Sequence, residues 1–245
     1  MIVHSIESLA ALDGEGLRYG IFLSGCPLRC AYCHNPDTWD KTNGEQKTAE
    51  QLFSKIKRYI PYFKAGGGGV TFSGGEPLLQ ADEIVKLSKL LKTEGIGYTL
   101  DTSGCVALTD SVKQAVLDAE LVICDLKFYS DADYKKYTGG TLDTVINFLN
   151  FLCENKKRTW IRTVIVPTIN DSEQDIDNYL KTVAPCLDCI EKYQLLAFHT
   201  MGFFKYENLG IQNPLKSVFA LLPQRLQSLQ QYLDKQKEKY NVKKA

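Results

Sequence analysis

Short runs of β-branched and aromatic residues alternate along this chain with longer segments of helical period. The runs cover residues 19–23, 69–72, 97–100, 121–126, 159–166 and 192–198. Between them the spacing of apolar positions predicts helices near residues 48–60, 81–94, 109–119, 141–155, 173–184 and 217–236. The helix near 81–94 shows the period most clearly. Ile84, Leu87, Leu90 and Leu91 share one face, Lys86, Lys89 and Lys92 lie off it, and Gly95 offers a C-terminal stop. No internal sequence repeat and no low-complexity segment interrupts the alternation.

Six strand–helix units predict an α/β fold with a parallel sheet, helices packed outside it and right-handed connections. In such folds ligands gather beyond the C-terminal ends of the strands. Reactive residues fall there at six successive runs: residues 26–33 after the first, Gly74-Gly75-Glu76 after the second, Asp101-Thr102-Ser103-Gly104 after the third, Asp125-Leu126-Lys127 after the fourth, Arg162 in the fifth and His199 after the sixth. That convergence predicts one site.

Composition narrows the class. The 245 residues, 44% of them apolar, suffice for a single domain spanning residues 1–245. Lys plus Arg equal Asp plus Glu at 29 each, which offers nothing to nucleic acid or an anionic membrane surface. The first residues lack the pattern of a signal peptide, and no apolar run reaches the roughly 18 residues that span a bilayer. Eight cysteines in that context predict a reducing, cytoplasmic setting and metal chemistry in place of disulfides. The Lys-rich tail after Leu233 reads as a solvated helix end.

The sharpest motif is Cys26, Cys30 and Cys33, spaced C-x3-C-x2-C. Closely spaced thiolates hold Fe–S clusters, and three ligands on a four-iron cluster leave one iron open. A zinc site completed by His34 is the alternative, although zinc ligands usually come as two separated pairs. The remaining groups each carry two readings. Gly74 and Gly75 could let backbone approach a ligand or form a plain turn. Gly66-Gly67-Gly68-Gly69 could cradle an anion or pack closely. Asp101 and Asp125 could share a pocket that needs a cation or a ligand ammonium, or cap helices. Lys127, two residues after Asp125, could bind a carboxylate or sit at a solvated rim. Arg162 requires a partner within its apolar run, and His199 joins the site by position. Cys186 and Cys189 read as a structural helix-end pair; Cys105, Cys124 and Cys153 read as small buried hydrophobes, with Cys105 a possible fourth ligand.

The cysteine motif followed by Gly-Gly-Glu resembles the radical S-adenosylmethionine superfamily. Residues 32–39, the glycine run into Ser73-Gly74-Gly75-Glu76, Asp101-Thr102-Ser103-Gly104, residues 121–127, Trp160-Ile161-Arg162 and Phe198-His199 extend the resemblance over almost the whole chain, to the glycyl-radical-enzyme activases. The resemblance implies a partial (β/α)6 TIM-like barrel, the radical SAM fold. It implies a [4Fe–4S] cluster on Cys26, Cys30 and Cys33. An S-adenosylmethionine site would be drawn from Tyr32, Asn35, Gly74, Gly75, Glu76, Asp101, Thr102, Asp125, Lys127 and His199. Asp101, Thr102 and Asp125 are the expected ligands of a Na⁺ or K⁺ ion, and Asp13, His34 and Arg162 the expected grip on a substrate peptide. The implied activity is reductive cleavage of S-adenosylmethionine and removal of a glycine Cα hydrogen from a partner enzyme, with an external donor such as flavodoxin or ferredoxin and a monomeric activase. Two departures stand out. The turn Asp13-Gly14-Glu15-Gly16 has Glu15 where the family has proline, which leaves the partner's identity less defined. Only about thirty residues separate Cys33 from the glycine run, too few for a ferredoxin-like insert, which favours a pyruvate formate-lyase type of partner. The rivals are activation of a different glycyl radical enzyme, a radical enzyme acting on a small molecule such as a deazapurine precursor, and a non-catalytic Fe–S or zinc module.

Overall fold

The computed structural model describes residues 1–11 and 13–242. One eight-stranded sheet organises them: β1 (Ile2–Ala10), β2 (Arg18–Leu23), β3 (Glu45–Gln46), β4 (Gly69–Gly74), β5 (Tyr98–Thr102), β6 (Leu121–Asp125), β7 (Thr159–Ile165) and β8 (Ile190–Ala197), in the order β3-β1-β2-β4-β5-β6-β7-β8. From β2 to β8 every neighbouring pair is parallel. These are the six expected strands, so the alternation of the sequence becomes an α/β sheet curved into a barrel that stays open between its edges. The helices are α1 (Ala49–Ile56), α2 (Ile60–Gly66), α3 (Ala81–Thr93), α4 (Asp110–Asp118), α5 (Asp131–Thr138), α6 (Leu142–Glu154), α7 (Glu173–Val183), α8 (Phe203–Asn208) and α9 (Pro223–Val242). Among the described residues no helix is long and apolar enough to cross a membrane.

The differences from the sequence expectation have local causes. The helix expected from 48 to 60 breaks into α1, a 3-10 turn and α2, because Pro61 takes the start of a new helix. The helix expected from 217 begins only at Pro223, because Leu221 instead donates its N–H to Phe198 O at 2.9 Å. β1 lies antiparallel to β2, with Val3 opposite Leu23 and Ala10 opposite Arg18. Its side chains are mostly exposed or half-buried, so it lacks the apolar run that marks the other strands. Residues 66–69 lie at the N-terminal end of β4, away from the strand ends where ligands gather. A Cβ on Gly68 would meet Leu17 O at 1.7 Å, while Gly67, with open space around it, ends α2 at φ +64°, so close packing and a helix stop, and not an anion cradle, explain these two glycines.

Two further expectations are corrected. Cys153, on α6, is joined to Cys189 by a disulfide with Cα atoms 5.4 Å apart. Cys153 is therefore not a mere buried hydrophobe, and the cysteine count does not exclude disulfides. Cys186 is buried beside Asn150, its Sγ 3.4 Å from Asn150 Oδ1. Leu229 and Leu233 anchor α9 in the core, and beyond Leu233 it is exposed or half-buried as far as Lys239, the solvated helix end expected there; the last residues, 243–245, lie outside the described ones. From α9 the Gln230 side chain reaches the open edge of β8. Its Nε2 donates to Tyr193 O at 3.0 Å and its Oε1 accepts from Leu195 N–H at 2.8 Å, the pair of bonds a neighbouring strand would make.

Candidate active site

The segment after β2 has no regular structure, yet it is tied down from every side. Gly25 N–H donates to Thr38 O at 2.8 Å, Arg29 N–H to Thr138 O at 2.7 Å and Ala31 N–H to Tyr137 O at 2.8 Å. From α8, Tyr206 Oη donates to Cys33 O at 3.0 Å and Lys205 Nζ to Asn35 Oδ1 at 2.8 Å. Strand end and loop meet through glycines. Gly74 has φ +106°, and a Cβ on it would lie 2.5 Å from Leu23 N; a Cβ on Gly75 would lie 2.3 Å from Gly25 O. These two glycines therefore serve first to press the cysteine segment against β4.

The result is a cavity of about 230 Å³ at the C-terminal ends of the strands. Cys26, Cys30 and Cys33 line it together with Tyr32, His34, Asn35, Gly74, Gly75, Asp101, Thr102, Asp125, Lys127 and Arg162. Burial pushes the Cys26 thiol up to about 11 and the Cys30 thiol up to about 12, and it raises Cys33 as well. A metal centre here would bind by displacing thiol protons. The Tyr32 hydroxyl is buried in this lining with no hydrogen-bond partner, an orphaned group of the kind a ligand completes. Three thiols on one wall and this orphan fit a thiolate-bound Fe–S cluster beside a polar cosubstrate. His34 lines the same cavity, its ring stacked on His199 with centroids 3.6 Å apart and its Nε2 3.2 Å from His199 O, which engages one of the two nitrogens that a zinc site would draw on.

Opposite the thiols stands a charged cluster. Arg162 Nη1 lies 3.2 Å from Asp13 Oδ1 and 3.7 Å from Asp101 Oδ1, while Lys127 Nζ lies 2.9 Å from Asp125 Oδ2. Asp101 also accepts from Ser73 Oγ at 2.7 Å. Burial pushes the Asp101 carboxyl up to about 7, with Asp125 and Asp13 adding repulsion and Arg162 pulling the other way. For Lys127 burial opposes the charge, but Asp125 and nearby Cys30 outweigh it, and the ammonium is held well above its ordinary value. Asp13 arrives from the opposite end of the barrel on the 13–16 turn. Thr71 Oγ1 donates to Asp13 O at 2.7 Å, and Arg18 Nε donates to Thr71 Oγ1 at 3.0 Å. The unexpected Glu15 is paired with Arg158, its Oε1 2.9 Å from Nη2, an exposed ion pair where the family has a proline.

Two residues expected at the site lie outside the cavity lining. Glu76 is fully buried and lies outside the cavity lining. Its carboxylate accepts from Leu78 N–H, Thr102 Oγ1, Ser103 N–H and Ser103 Oγ. Its part is to join the turns after β4 and β5. His199 also lies outside the lining, behind His34, with its buried Nδ1 unpartnered.

The comparisons decide the family. A model of the Radical SAM superfamily matches residues 21–180. The chain is 40% identical over 231 residues to the pyruvate formate-lyase-activating enzyme of Clostridium pasteurianum, covering 94% of this chain and 96% of that one. It is 41% identical over 223 residues to that of Staphylococcus epidermidis, covering 88% of each. The chain belongs to the pyruvate formate-lyase-activating family of the radical SAM superfamily. Solved structures share the fold: a domain of pyruvate-formate lyase-activating enzyme from Bacteroides vulgatus (TM-score 0.55, 21% identity, 69% of this chain and 94% of that one) and anSMEcpe with bound AdoMet (TM-score 0.56, 21% identity, 71% and 49%).

Within this activase family member, the sequence left seven residues of the cavity unnamed as site residues: Leu28, Thr38, Trp39, Ser73, Ser103, Val164 and Leu196. Ser73 directly precedes Gly74 and could have been read from the motif. Val164 follows Arg162 by two residues on β7, so strand period places it on the same face. Trp39 and Leu196 gave no such signal.

Proposed function

We propose that this chain cleaves S-adenosylmethionine reductively and uses the resulting radical to remove a Cα hydrogen from one glycine of a partner enzyme, pyruvate formate-lyase. The observation that carries the reading is the convergence of Cys26, Cys30 and Cys33 with Asp101, Asp125, Lys127 and Arg162 in one cavity at the strand ends; the activases at 40–41% identity support the choice of partner. When bound on Cys26, Cys30 and Cys33, a [4Fe–4S] cluster supplies the electron that breaks the C5′–S bond of S-adenosylmethionine, giving methionine and a 5′-deoxyadenosyl radical that takes the glycine hydrogen.

The residues around it bind, orient and shield. Three carboxyls, Asp13, Asp101 and Asp125, face two cations, Arg162 and Lys127, and burial disfavours the charged form of Asp101. The ammonium and sulfonium of S-adenosylmethionine would favour that charged form, so the cosubstrate suits the site electrostatically as well as by position. Lys127 and Arg162 suit its carboxylate, Asp101 and Asp125 its ammonium, and Tyr32 and Asn35 complete the polar wall. A Na⁺ or K⁺ ion among Asp101, Thr102 and Asp125 would act on Asp101 in the same direction. Thr102 Oγ1 already donates to Glu76 at 2.7 Å and accepts from Gly104 N–H at 3.0 Å, so such an ion would adjust the pocket more than create it.

Asp13 and Arg162, with His34 nearby, suit the substrate peptide. A glycine loop offers mainly backbone, and Asp13 can accept from its N–H while Arg162 donates to its C=O. The loop would exchange their mutual ion pair for two hydrogen bonds that fix one Cα–H in place. The enzyme acts as a monomer and takes its electron from an external carrier such as flavodoxin or ferredoxin.

The test is anaerobic reconstitution with iron and sulfide, then addition of S-adenosylmethionine, reductant and pyruvate formate-lyase, reading the glycyl radical by electron paramagnetic resonance. A radical that appears with wild type and with Cys105→Ala, and is lost with alanine at Cys26, Cys30 or Cys33, supports the reading. Consumption of S-adenosylmethionine that a small metabolite stimulates and pyruvate formate-lyase does not would instead favour a diffusible substrate.

A further inference from the structure

We infer that Asn170 and Tyr179 are positioning residues for the cavity: they form a buried relay from the end of β7 through α7 that sets where Lys127 stands. The inference rests on the reading of Lys127 as a group that meets the carboxylate of S-adenosylmethionine.

The two cations of the cavity stand on neighbouring strands, Arg162 within β7 and Lys127 just beyond β6. The ladder between these strands ends where Asp125 lies opposite Arg162. Past that point the chain leaving β6 is held by other bonds. Leu126 N–H donates to Arg162 O at 2.9 Å, and Leu126 O accepts from Thr163 Oγ1 at 2.8 Å. The carbonyl of Lys127 accepts from the Tyr179 hydroxyl at 3.0 Å. Tyr179 belongs to α7 and is fully buried, and the ring of Tyr129 packs edge-on against it with centroids 5.1 Å apart. The helix outside the barrel thus reaches the backbone of a cavity residue through a ring that has no room to swing.

Asn170 decides which way that hydroxyl points. It lies in the turn between β7 and α7 and is 1% exposed. Its Oδ1 accepts from Val166 N–H at 2.7 Å, and its Nδ2 donates to Val164 O at 3.0 Å and to Tyr179 Oη at 2.8 Å. The amide cannot turn over, because Val166 N–H only donates and Val164 O only accepts. Tyr179 Oη therefore receives a proton from Asn170 and gives its single one to Lys127 O. The bonds run in one direction, from the β7 exit to the β6 exit, and each member lost leaves a buried polar group without its partner. Neither Asn170 nor Tyr179 lines the cavity, so their influence on a ligand passes through the backbone of Lys127 and the spacing of that lysine from Arg162. A binding group displaced by even a fraction of an ångström loses much of its worth to a ligand held at several points.

The experiment measures the affinity of the anaerobically reconstituted enzyme for S-adenosylmethionine by equilibrium dialysis. Tyr179→Phe, which keeps the ring and loses one oxygen, and Asn170→Ser are compared alone and combined with Lys127→Met, and urea midpoints of the apoproteins record stability separately. The expected result is an affinity that falls about tenfold in each relay variant while Lys127 is present, and that changes less than about twofold once Lys127 has been replaced. The urea midpoint is expected to fall by the same amount in both backgrounds. Equal weakening of S-adenosylmethionine binding in both backgrounds would overturn the inference, as would an unchanged affinity beside a lowered midpoint. If Tyr179→Phe does not fold, Asn170→Ser, which leaves Tyr179 in place, gives the same comparison. Wild type that binds no S-adenosylmethionine, or Lys127→Met that binds it as tightly as wild type, would remove the reading of Lys127 itself, a failure visible before the relay variants are compared.

Discussion

Arg162 and Asp13 meet across 149 residues of chain, with Nη1 3.2 Å from Oδ1. The pair joins the middle of β7 to a turn that enters from the far end of the barrel. Arg162 is only 7% exposed, so its orientation is fixed by its surroundings. Arg162→Lys keeps the charge and loses the planar fork. The variant is expected to assemble its cluster and bind S-adenosylmethionine within a fewfold of wild type, while the yield of glycyl radical per partner falls by about tenfold or more. Radical yield and S-adenosylmethionine affinity measured side by side check this. A yield that tracks affinity alone would take Arg162 out of peptide binding.

Glu76 tests the foundation under the site. Its two oxygens receive four donors, and an amide in its place must turn an N–H₂ group toward two of them. Glu76→Gln is therefore expected to lower stability by about 2 kcal/mol, read as a shift in the urea midpoint of the anaerobic apoprotein. Unchanged stability would mean that the Thr102–Ser103 turn holds itself without the carboxylate.

The stacked histidines give a pH dependence. Burial lowers the His199 pKa below its ordinary 6.5, and burial followed by the charge of His199 lowers that of His34. Above that value the rings are neutral in both states and their contribution is intact. As pH falls through it the unfolded chain takes up protons first, so stability declines until the folded-state values are passed. The buried Asp101 carboxyl acts in the opposite direction between about pH 7.5 and about pH 5, so the histidines are read as a difference. Over that range the urea midpoint of wild type is expected to fall more, or rise less, than that of His199→Gln. Identical slopes in the two proteins would show that the acid sensitivity arises elsewhere.

The Cys153–Cys189 disulfide closes a loop of 36 residues that contains β7 and Arg162. Chain entropy for a loop of that size gives about 4 kcal/mol of stabilisation. Adding reductant to wild type is expected to lower the urea midpoint to that of Cys153→Ser, and to leave the variant unmoved. A reductant that destabilises both equally would point to some other thiol.

The strands were legible because a parallel strand buried on both faces needs a continuous apolar run, and residues 121–126 or 159–166 supply one. The polar residues at their ends were legible for the same reason: Asp101 and Asp125 interrupt those runs where the sheet stops. β1 was not, since only Val3 and Ala10 among its residues are buried and its order comes from pairing with β2. Nor could the chain announce contacts made at long range. Lys205 reaches Asn35 across 170 residues, and Cys189 finds Cys153 through the packing of α6 against the turn before β8. Residue types did indicate Glu76 and His199 as belonging to this end of the barrel, but which way each side chain turns depends on neighbours set by the folded backbone.

Gln230 has a consequence for the protein in concentrated solution. An open barrel leaves β8 with one side unpaired, and an exposed strand edge invites the same edge of another molecule. A single amide from α9 answers both the Tyr193 carbonyl and the Leu195 N–H, so the edge is closed by a side chain where it could have been closed by a second copy. Gln230→Leu would keep the bulk and free both backbone groups. Such a molecule would be prone to pair edge to edge and to lose solubility as its concentration rises, without any change at the strand ends where the chemistry lies.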